Sequence, residues 1–434
     1  MKIATTSTEP NDFPSEREIG GRGFTFARAG GDTAGEPSDD IEAEDDAAAT
    51  SAEDAPPVPT AIRGRGVSSN RSGRYEPRQI ERFVDGWEPS EPTTAPLASG
   101  FGAAGRTRLL PLAARKAMSR NDSPDIPFDR AVNPYRGCEH GCVYCFARPD
   151  HAYLGDSPGL DFEQRIYVKR GVVAALQTEW ASPSYVPETM AIGASTDPYQ
   201  PAEASEQLTR AVLELALRCR HPVGLVTKSA RVVRDLDILT ALAELSLVRV
   251  FFSITSLDAG LQRRLEPRAA APAARLQAMR TLADAGVPVG VLAAPMIPAV
   301  NDSELEAIVE AAAAAGASSA GWILLRLPRE VGPLFDDWLQ AHLPDRRQRV
   351  LALMRQARGG KLYDATFGVR MRGEGPYAAL LAQRFELVRR RCGLDAAPAP
   401  LRRDLFVRPA PAGNAARLQR TAAATASGRQ LSLL

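Results

Sequence analysis

From about residue 129 the chain alternates short apolar runs with amphipathic stretches, and this pattern most constrains what it can fold into. The candidate strands are 131–135, 190–194, 223–227, 248–254, 288–292 and 320–325. Between and after them lie candidate helices at 171–180, 205–220, 234–245, 272–285, 303–315 and 331–339. Asp302-Ser303 stands where a side chain would cap the fifth helix. Gly286 and Gly316 stand where helices commonly end. Strands joined through helices of this length run parallel, with right-handed crossovers. Six such units predict an α/β fold, a partial (β/α)6 TIM-like barrel. A closed barrel would need two further strands, and the sequence offers none.

With 434 residues the chain has room for two or three domains. The expected divisions are a disordered region over 1–105, the barrel core over 106–345, an Arg-rich helical extension over 346–410 and a disordered tail over 411–434. The first of these is rich in Gly and Pro and carries an acidic run over 39–46, too little apolar surface to offset chain entropy. Within it, 64–78 is basic and Gly-rich, including Arg71 and Arg74. It suits either contact with the folded body or a polyanion, or a solvated linker. The 53 basic and 52 acidic residues leave a net charge of +1, which argues against a surface that is basic overall. Residues 401–434 are the exception, with six Arg against one Asp. No apolar run is long enough to span a membrane and no signal peptide is evident, so the expectation is a cytoplasmic protein.

Three of the five cysteines, Cys138, Cys142 and Cys145, lie within eight residues at the end of the first strand, spaced C-x3-C-x2-C. In a chain expected to be cytoplasmic that clustering points to metal ligation rather than disulfides. Thiolates are soft ligands, suited to an iron–sulfur cluster or to zinc. Zinc would take a fourth ligand from His140 or His151. Gly137 and Gly141 allow the loop to turn around a bulky inorganic core. Sites of β/α barrels lie at the carboxyl ends of the strands. Cys138, Cys142 and Cys145, then Ser195, Thr196 and Asp197, then Lys228, then Ser253, Thr255 and Ser256, then 295–301, then Arg326 each follow a candidate strand, so all open onto one face.

The cysteine segment resembles that of the radical S-adenosylmethionine (SAM) superfamily. The likeness is closer to one branch, the spore photoproduct lyase-like proteins often labelled DNA repair photolyases. The matching stretches are 133–148, 195–201, Thr227-Lys228-Ser229 with Arg234-Asp235, Leu265-Glu266-Pro267-Arg268 and 295–302. The resemblance implies that Cys138, Cys142 and Cys145 ligate a [4Fe–4S] cluster. Its open iron would chelate SAM, and one electron would release a 5′-deoxyadenosyl radical. An electron donor such as flavodoxin or ferredoxin is implied. Tyr144 would pack against the adenine, or serve as a core aromatic. Ser195, Thr196 and Asp197 would receive the SAM ammonium; for Asp197 the other reading is turn chemistry before Pro198. Ser253 would bind ribose or the SAM carboxylate, and 295–298, with Pro295, would line the adenine pocket. Lys228 and Arg268 would hold carboxylate or phosphate, or simply pair with Asp235 or Glu266. These lyases use a further cysteine as hydrogen donor. Here no cysteine falls between Cys145 and Cys219, so the expectation is a sister subgroup; Cys219 and Cys392 read as ordinary thiols.

After the barrel, Gly368-Val369-Arg370-Met371-Arg372-Gly373-Glu374-Gly375 interleaves Gly and Arg. It reads as a lid or a phosphate contact through Arg370 and Arg372, or as a surface turn. Arg326 is a further candidate substrate contact. The last residues, Gln430-Leu431-Ser432-Leu433-Leu434, resemble the short peptide that docks in the bacterial DNA sliding clamp. The resulting expectation is a radical SAM enzyme acting on nucleic acid. The alternatives are one acting on a protein or small molecule, and a non-catalytic zinc-binding adaptor.

Overall fold

The structure, a computed structural model, describes residues 62–71, 73–75, 106–114 and 116–412, all within the unit Pro57–Leu434. The acidic run, the stretch 76–105 and the terminal peptide Gln430 to Leu434 lie outside the described residues. The strands are β1 Arg108–Pro111, β2 Met118–Arg120, β3 Arg130–Val132, β4 Tyr135–Arg136, β5 Arg165–Val168, β6 Met190–Ile192, β7 Val223–Thr227, β8 Val248–Ile254, β9 Val289–Met296 and β10 Ser319–Leu324. The α-helices are α1 Leu160–Gln164, α2 Val172–Ala181, α3 Glu203–Glu206, α4 Leu208–Cys219, α5 Leu236–Glu244, α6 Ala259–Leu265, α7 Pro272–Asp284, α8 Leu305–Ala314, α9 Val331–His342, α10 Pro344–Gln356, α11 Val369–Arg372 and α12 Gly375–Arg391.

The main sheet runs in the order β10-β9-β8-β7-β6-β3-β2. Its first six members are mutually parallel, and they are the six expected strands in sequence order. The sheet is therefore an open, partial barrel. Alternate residues of β8, Val248, Val250, Phe252 and Ile254, are fully buried. Helix α4 buries Leu208, Val212, Leu213, Leu215, Ala216 and Cys219, a stripe at helical spacing that turns onto the sheet. These faces merge into one large core. A second core lies beneath the cysteine loop, where Val143 and Tyr144 meet Leu265, Ile297, Leu325, Phe335 and Met354.

Several details differ from the sequence reading. The first strand stops at Val132, and Tyr135–Arg136 pairs instead with β5 in a separate sheet of order β1-β5-β4. Pro134 intervenes, and a residue without an N–H cannot extend the ladder. The edge strand β2 and the small sheet are additions, built from runs of two to four residues. Strand β9 continues to Met296, so Pro295 belongs to the strand; β10 follows it through a register shift between Trp322 and Leu324. Helix α8 has no side-chain cap. Asp302 instead accepts the Tyr377 hydroxyl at 2.7 Å from α12, which packs over α8. Gly286 and Gly316 do follow α7 and α8, at φ 81° and 90°.

The region 1–105 is not uniformly loose. Residues 62–75 lie along the barrel, with Arg65, Gly66 and Val67 buried. Arg71 makes a bidentate pair with Asp337 of α9 at 2.8 Å, and Arg74 pairs with Glu330 at 2.8 Å. Complementary charge on α9 settles the choice in favour of contact with the body. The expected boundary at 345 falls inside α10. No helix among the described residues is long and apolar enough to cross a membrane.

Candidate active site

The cysteine loop leaves β4 and is tied down from several sides. Cys138 N–H donates to Phe162 O at 2.9 Å, and Val143 N–H donates to Leu265 O at 3.1 Å. The Gln200 amide bridges the loop, accepting from Glu139 N–H at 3.0 Å and donating to Gly137 O at 3.2 Å. Beneath it lies a wholly buried ion pair, Arg148–Glu163, at 2.6 Å. Arg148 Nε also donates to Cys142 O at 3.0 Å, and its Nη1 to the carbonyls of Pro158 and Gly159. The second Glu163 oxygen accepts Gly66 N–H at 3.0 Å. Gly137 and Gly141 hold φ of 80° and 66°, as a tight loop requires. Gly66 passes so close that a Cβ there would sit 1.7 Å from Gly141 O.

Cys138 and Cys142 are buried, Cys145 is partly exposed, and all three are free thiols. Burial pushes each thiol above its ordinary range. The charge of Asp197 and the neighbouring thiols add to this at Cys138, and that of Glu266 at Cys142. Among the described residues no three His, Cys, Asp or Glu side chains are grouped to hold one metal ion. His140 faces Asp197, Nδ1 to Oδ2 at 3.4 Å, and His151 lies edge-on to Phe162 and Tyr167. Three soft thiols on one loop do fit a cluster in which each binds a different iron, since no common centre is then needed.

Two buried carboxylates organise the surroundings. Asp197 accepts from Thr227 Oγ1 at 2.8 Å, from the Lys228 N–H at 2.6 Å and from the Tyr199 N–H at 2.9 Å. Burial alone would raise its pKa, but His140 and these donors outweigh it and hold it at about 2. The turn contacts of Asp197 are made, with two donors on Oδ1 and one on Oδ2. Thr196 Oγ1 donates to Tyr135 O at 3.0 Å, and the Ser195 N–H donates to Asn133 Oδ1 at 3.1 Å. Among the described residues the Ser195 hydroxyl makes no hydrogen bond, while its N–H is the group engaged.

Glu266 is the second carboxylate. Burial raises its pKa, yet Arg275 and Lys228 bring it down to about 2. It accepts from Arg275 Nη2, from the Tyr144 hydroxyl and from Thr255 Oγ1 at 2.5 Å. Tyr144 is buried against the second core with its hydroxyl held on Glu266. Removing one partner of such a buried pair typically costs about 3–5 kcal/mol, because the other charge is left alone.

The remaining candidates sit at the same end of the sheet. Lys228 Nζ donates to Ser253 Oγ at 2.9 Å, and Ser253 donates to Ala294 O at 3.0 Å. The Pro295 carbonyl accepts from Asn301, which also accepts the Ile297 N–H at 2.6 Å. Arg268 pairs with Glu139 at 3.2 Å, not with Asp235 or Glu266. Asp235 belongs to Arg210, Arg234 and Tyr199. Arg370 is spent on Asp125 at 2.6 Å, which fastens α11 to the loop after β2. Arg372 lies over the Trp322 ring at 4.6 Å. Arg326 lies over the ring of Phe146, the residue after Cys145, at 4.7 Å. The sequence reading missed Glu163 and Arg275, and it placed Gln200 and Asn301 in matching stretches without giving them a role. Charged and amide residues of this kind ordinarily read as a solvated face, and only the pairing made in three dimensions reveals them.

Comparison with known proteins agrees with this layout. The family model described as the Radical SAM superfamily matches residues 132–312, which begin in β3 and include the cysteine loop. An uncharacterised protein of Mycobacterium tuberculosis is 36% identical over 233 residues, 53% of this chain and 68% of that protein. An uncharacterised protein of Methanocaldococcus jannaschii is 23% identical over 199 residues, 46% of this chain and 71% of that protein. Among solved structures, a mutant spore photoproduct lyase with bound AdoMet and dinucleoside spore photoproduct aligns at TM-score 0.47 and 19% identity, covering 65% and 79% of the two chains. SuiB of Streptococcus suis with S-adenosylmethionine aligns at TM-score 0.30 and 11% identity, covering 48% and 44%. With the thiol loop at the carboxyl end of a six-stranded parallel sheet, the family model covering that loop and β6 to β9, and a relative 36% identical over 68% of its length, the chain belongs to the radical SAM superfamily of enzymes.

Proposed function

We propose that Cys138, Cys142 and Cys145 hold a [4Fe–4S] cluster, that SAM binds beside it, and that the substrate is nucleic acid. The observation that carries this reading is the donor set: three free thiols on one loop at the carboxyl end of the sheet. When bound, the cluster would supply the electron that cleaves the SAM sulfonium to a 5′-deoxyadenosyl radical. The chain's own part is support, orientation and exclusion of water. Arg148 and Glu163 keep the loop in shape from below. Burial keeps the thiols protonated until metal displaces the protons. The Ser195 hydroxyl is an acceptor left open for the SAM ammonium. Lys228 and Ser253 offer a cation and a hydroxyl toward a carboxylate. Ile297, Val300, Leu325 and Leu327 wall the loop with apolar surface. The sequence resemblance and the basic side chains at this end support nucleic acid as substrate.

Anaerobic reconstitution with iron and sulfide, reduction with dithionite and addition of SAM tests this. Wild-type chain should form 5′-deoxyadenosine, and a Cys138→Ala/Cys142→Ala/Cys145→Ala variant should form none. Binding to DNA should weaken steeply with salt, as counterion release requires. A colourless protein carrying stoichiometric zinc would overturn the reading. A cluster that cleaves SAM in a chain with no salt-sensitive DNA binding would move the substrate to a protein or small molecule.

A further inference from the structure

Among the described residues, Arg326 is a half-buried basic side chain at the carboxyl end with no anionic or short hydrogen-bonded partner. Its Nε is buried and makes no hydrogen bond. Its Nη1 faces the Met371 sulfur at 3.7 Å and its Nη2 the Tyr363 hydroxyl at 3.5 Å. Neither neighbour is an anion. Arg268 and Arg370, by contrast, have carboxylates, and Lys228 has the Ser253 hydroxyl. Near enough for their charges to interact lies Arg358, 1% exposed, which donates to the carbonyls of Leu325 and Val369, has a buried Nε without partner and also feels the charge of Asp364. No carboxylate among the described residues lies within ion-pair distance of either guanidinium. Asp125 is near enough to feel the Arg326 charge. Its oxygens, however, are taken by the Gly368 N–H and by Arg370, both at 2.6 Å.

A half-buried guanidinium whose neighbours are a thioether and a phenol has its charge uncommitted, and it can take an anion without breaking an ion pair. The site is also well placed. Arg326 follows the end of β10 by two residues, and its guanidinium rests on the ring of Phe146, next in sequence to Cys145. An anion held there lies beside the cysteine loop. A guanidinium presents paired N–H donors that match the oxygens of a phosphate. The segment carrying Tyr363 and Met371 covers the site, and the Arg370–Asp125 pair fastens it.

We propose that Arg326, seated on Phe146 and near Arg358, is a phosphate-binding site that anchors the substrate beside the cysteine loop. It deepens the nucleic-acid reading above and rests on it for the source of the phosphate. A phosphodiester within a strand and a free phosphate share the needed chemistry, so the test uses both.

The experiment uses the full chain and follows binding of thymidylyl-thymidine, of its uncharged methylphosphonate analogue, and of inorganic phosphate by calorimetry. Wild type should bind the phosphodiester about tenfold or more tighter than the neutral analogue. Arg326→Gln should remove that preference, Arg326→Lys should restore part of it, and Arg280→Gln on exposed α7 should leave it intact. Phosphate should raise the melting midpoint of wild type and not that of Arg326→Gln, a readout that does not depend on the two variants being equally stable. Equal affinity of wild type and Arg326→Gln for both charged probes would overturn the site. Binding of inorganic phosphate through Arg326, with none of the dinucleotide, would keep the site and overturn nucleic acid as its source. Formation of 5′-deoxyadenosine from SAM without substrate is followed in parallel, so failure of the radical chemistry is seen separately.

Discussion

His221 shows how one residue's surroundings set a measurable property. It stacks flat on Trp180 with centroids 4.1 Å apart, and its Nε2 meets the Tyr185 hydroxyl at 2.7 Å. Burial pushes its pKa down to about 3, against a smaller upward pull from its contact with Pro222 O. In the unfolded chain a histidine titrates near 6.5. Between those values the unfolded state binds a proton that the native state refuses. Stability from this group is therefore complete above pH 6.5 and falls as the pH drops toward 3. At about 1.4 kcal/mol per pH unit, the loss between pH 6.5 and pH 5 is about 2 kcal/mol. Urea unfolding of wild type and His221→Gln at pH 7.5 and pH 5 checks this. The wild-type curve should fall more steeply, and parallel curves would sink the idea.

The strap over 62–75 is the element whose behaviour departs furthest from its composition. It is Gly- and Arg-rich, yet it is held by Val67 in the second core, by the Gly66 N–H on Glu163 and by pairs to α9. The exposed pairs contribute little each. The close passage of Gly66 over Gly141 is what allows the rest. Gly66→Ala places a methyl where Gly141 O already stands, so the strap must lift. The expected cost is about 2 kcal/mol, mostly the burial of Val67 and one hydrogen bond. Trypsin should then cut at Arg65 and Arg71 in the native variant and spare them in wild type. Equal protection in both would mean that the loop yields instead. The small sheet β1-β5-β4 is a different lesson in elements. Strands of two to four residues carry too little periodicity to be read, and their pairing partners lie up to 57 residues apart, as in Arg108 with Arg165.

At the scale of the whole molecule, the residues beyond α12 return to the amino end of the sheet. Val407 N–H donates to Cys219 O at 2.8 Å and Arg402 N–H to Ser246 O at 3.0 Å. Phe406 meets Trp180 and His221 edge-on. This return ties α2, α4 and the turn after α5 into one body, so it should unfold with the barrel. Phe406→Ala is expected to cost about 2–3 kcal/mol, less than a fully buried Phe because the ring is partly exposed. Far-UV circular dichroism and tryptophan fluorescence should still give coincident urea transitions. Two separated transitions would show that the tail melts independently.

The amino-acid sequence by itself determined the order and number of the parallel strands, because each is a contiguous apolar run with its own helix and turn. It also determined where the cysteines and the loops Ser195–Asp197, Lys228 and Arg326 converge, since a parallel sheet puts every strand's carboxyl end on one face. Which polar residues are free to act was decided only by the tertiary structure. Asp197, Tyr144 and Arg370 are candidate contacts in one dimension, and the fold gives each a partner from another part of the chain. Arg326 looked like one more strand-end residue and, among the described residues, has no anionic partner. The physical reason is that backbone order follows from local propensity and apolar periodicity. The pairing of buried charges depends on which side chains the packed fold brings within hydrogen-bonding distance, and sequence separation says little about that.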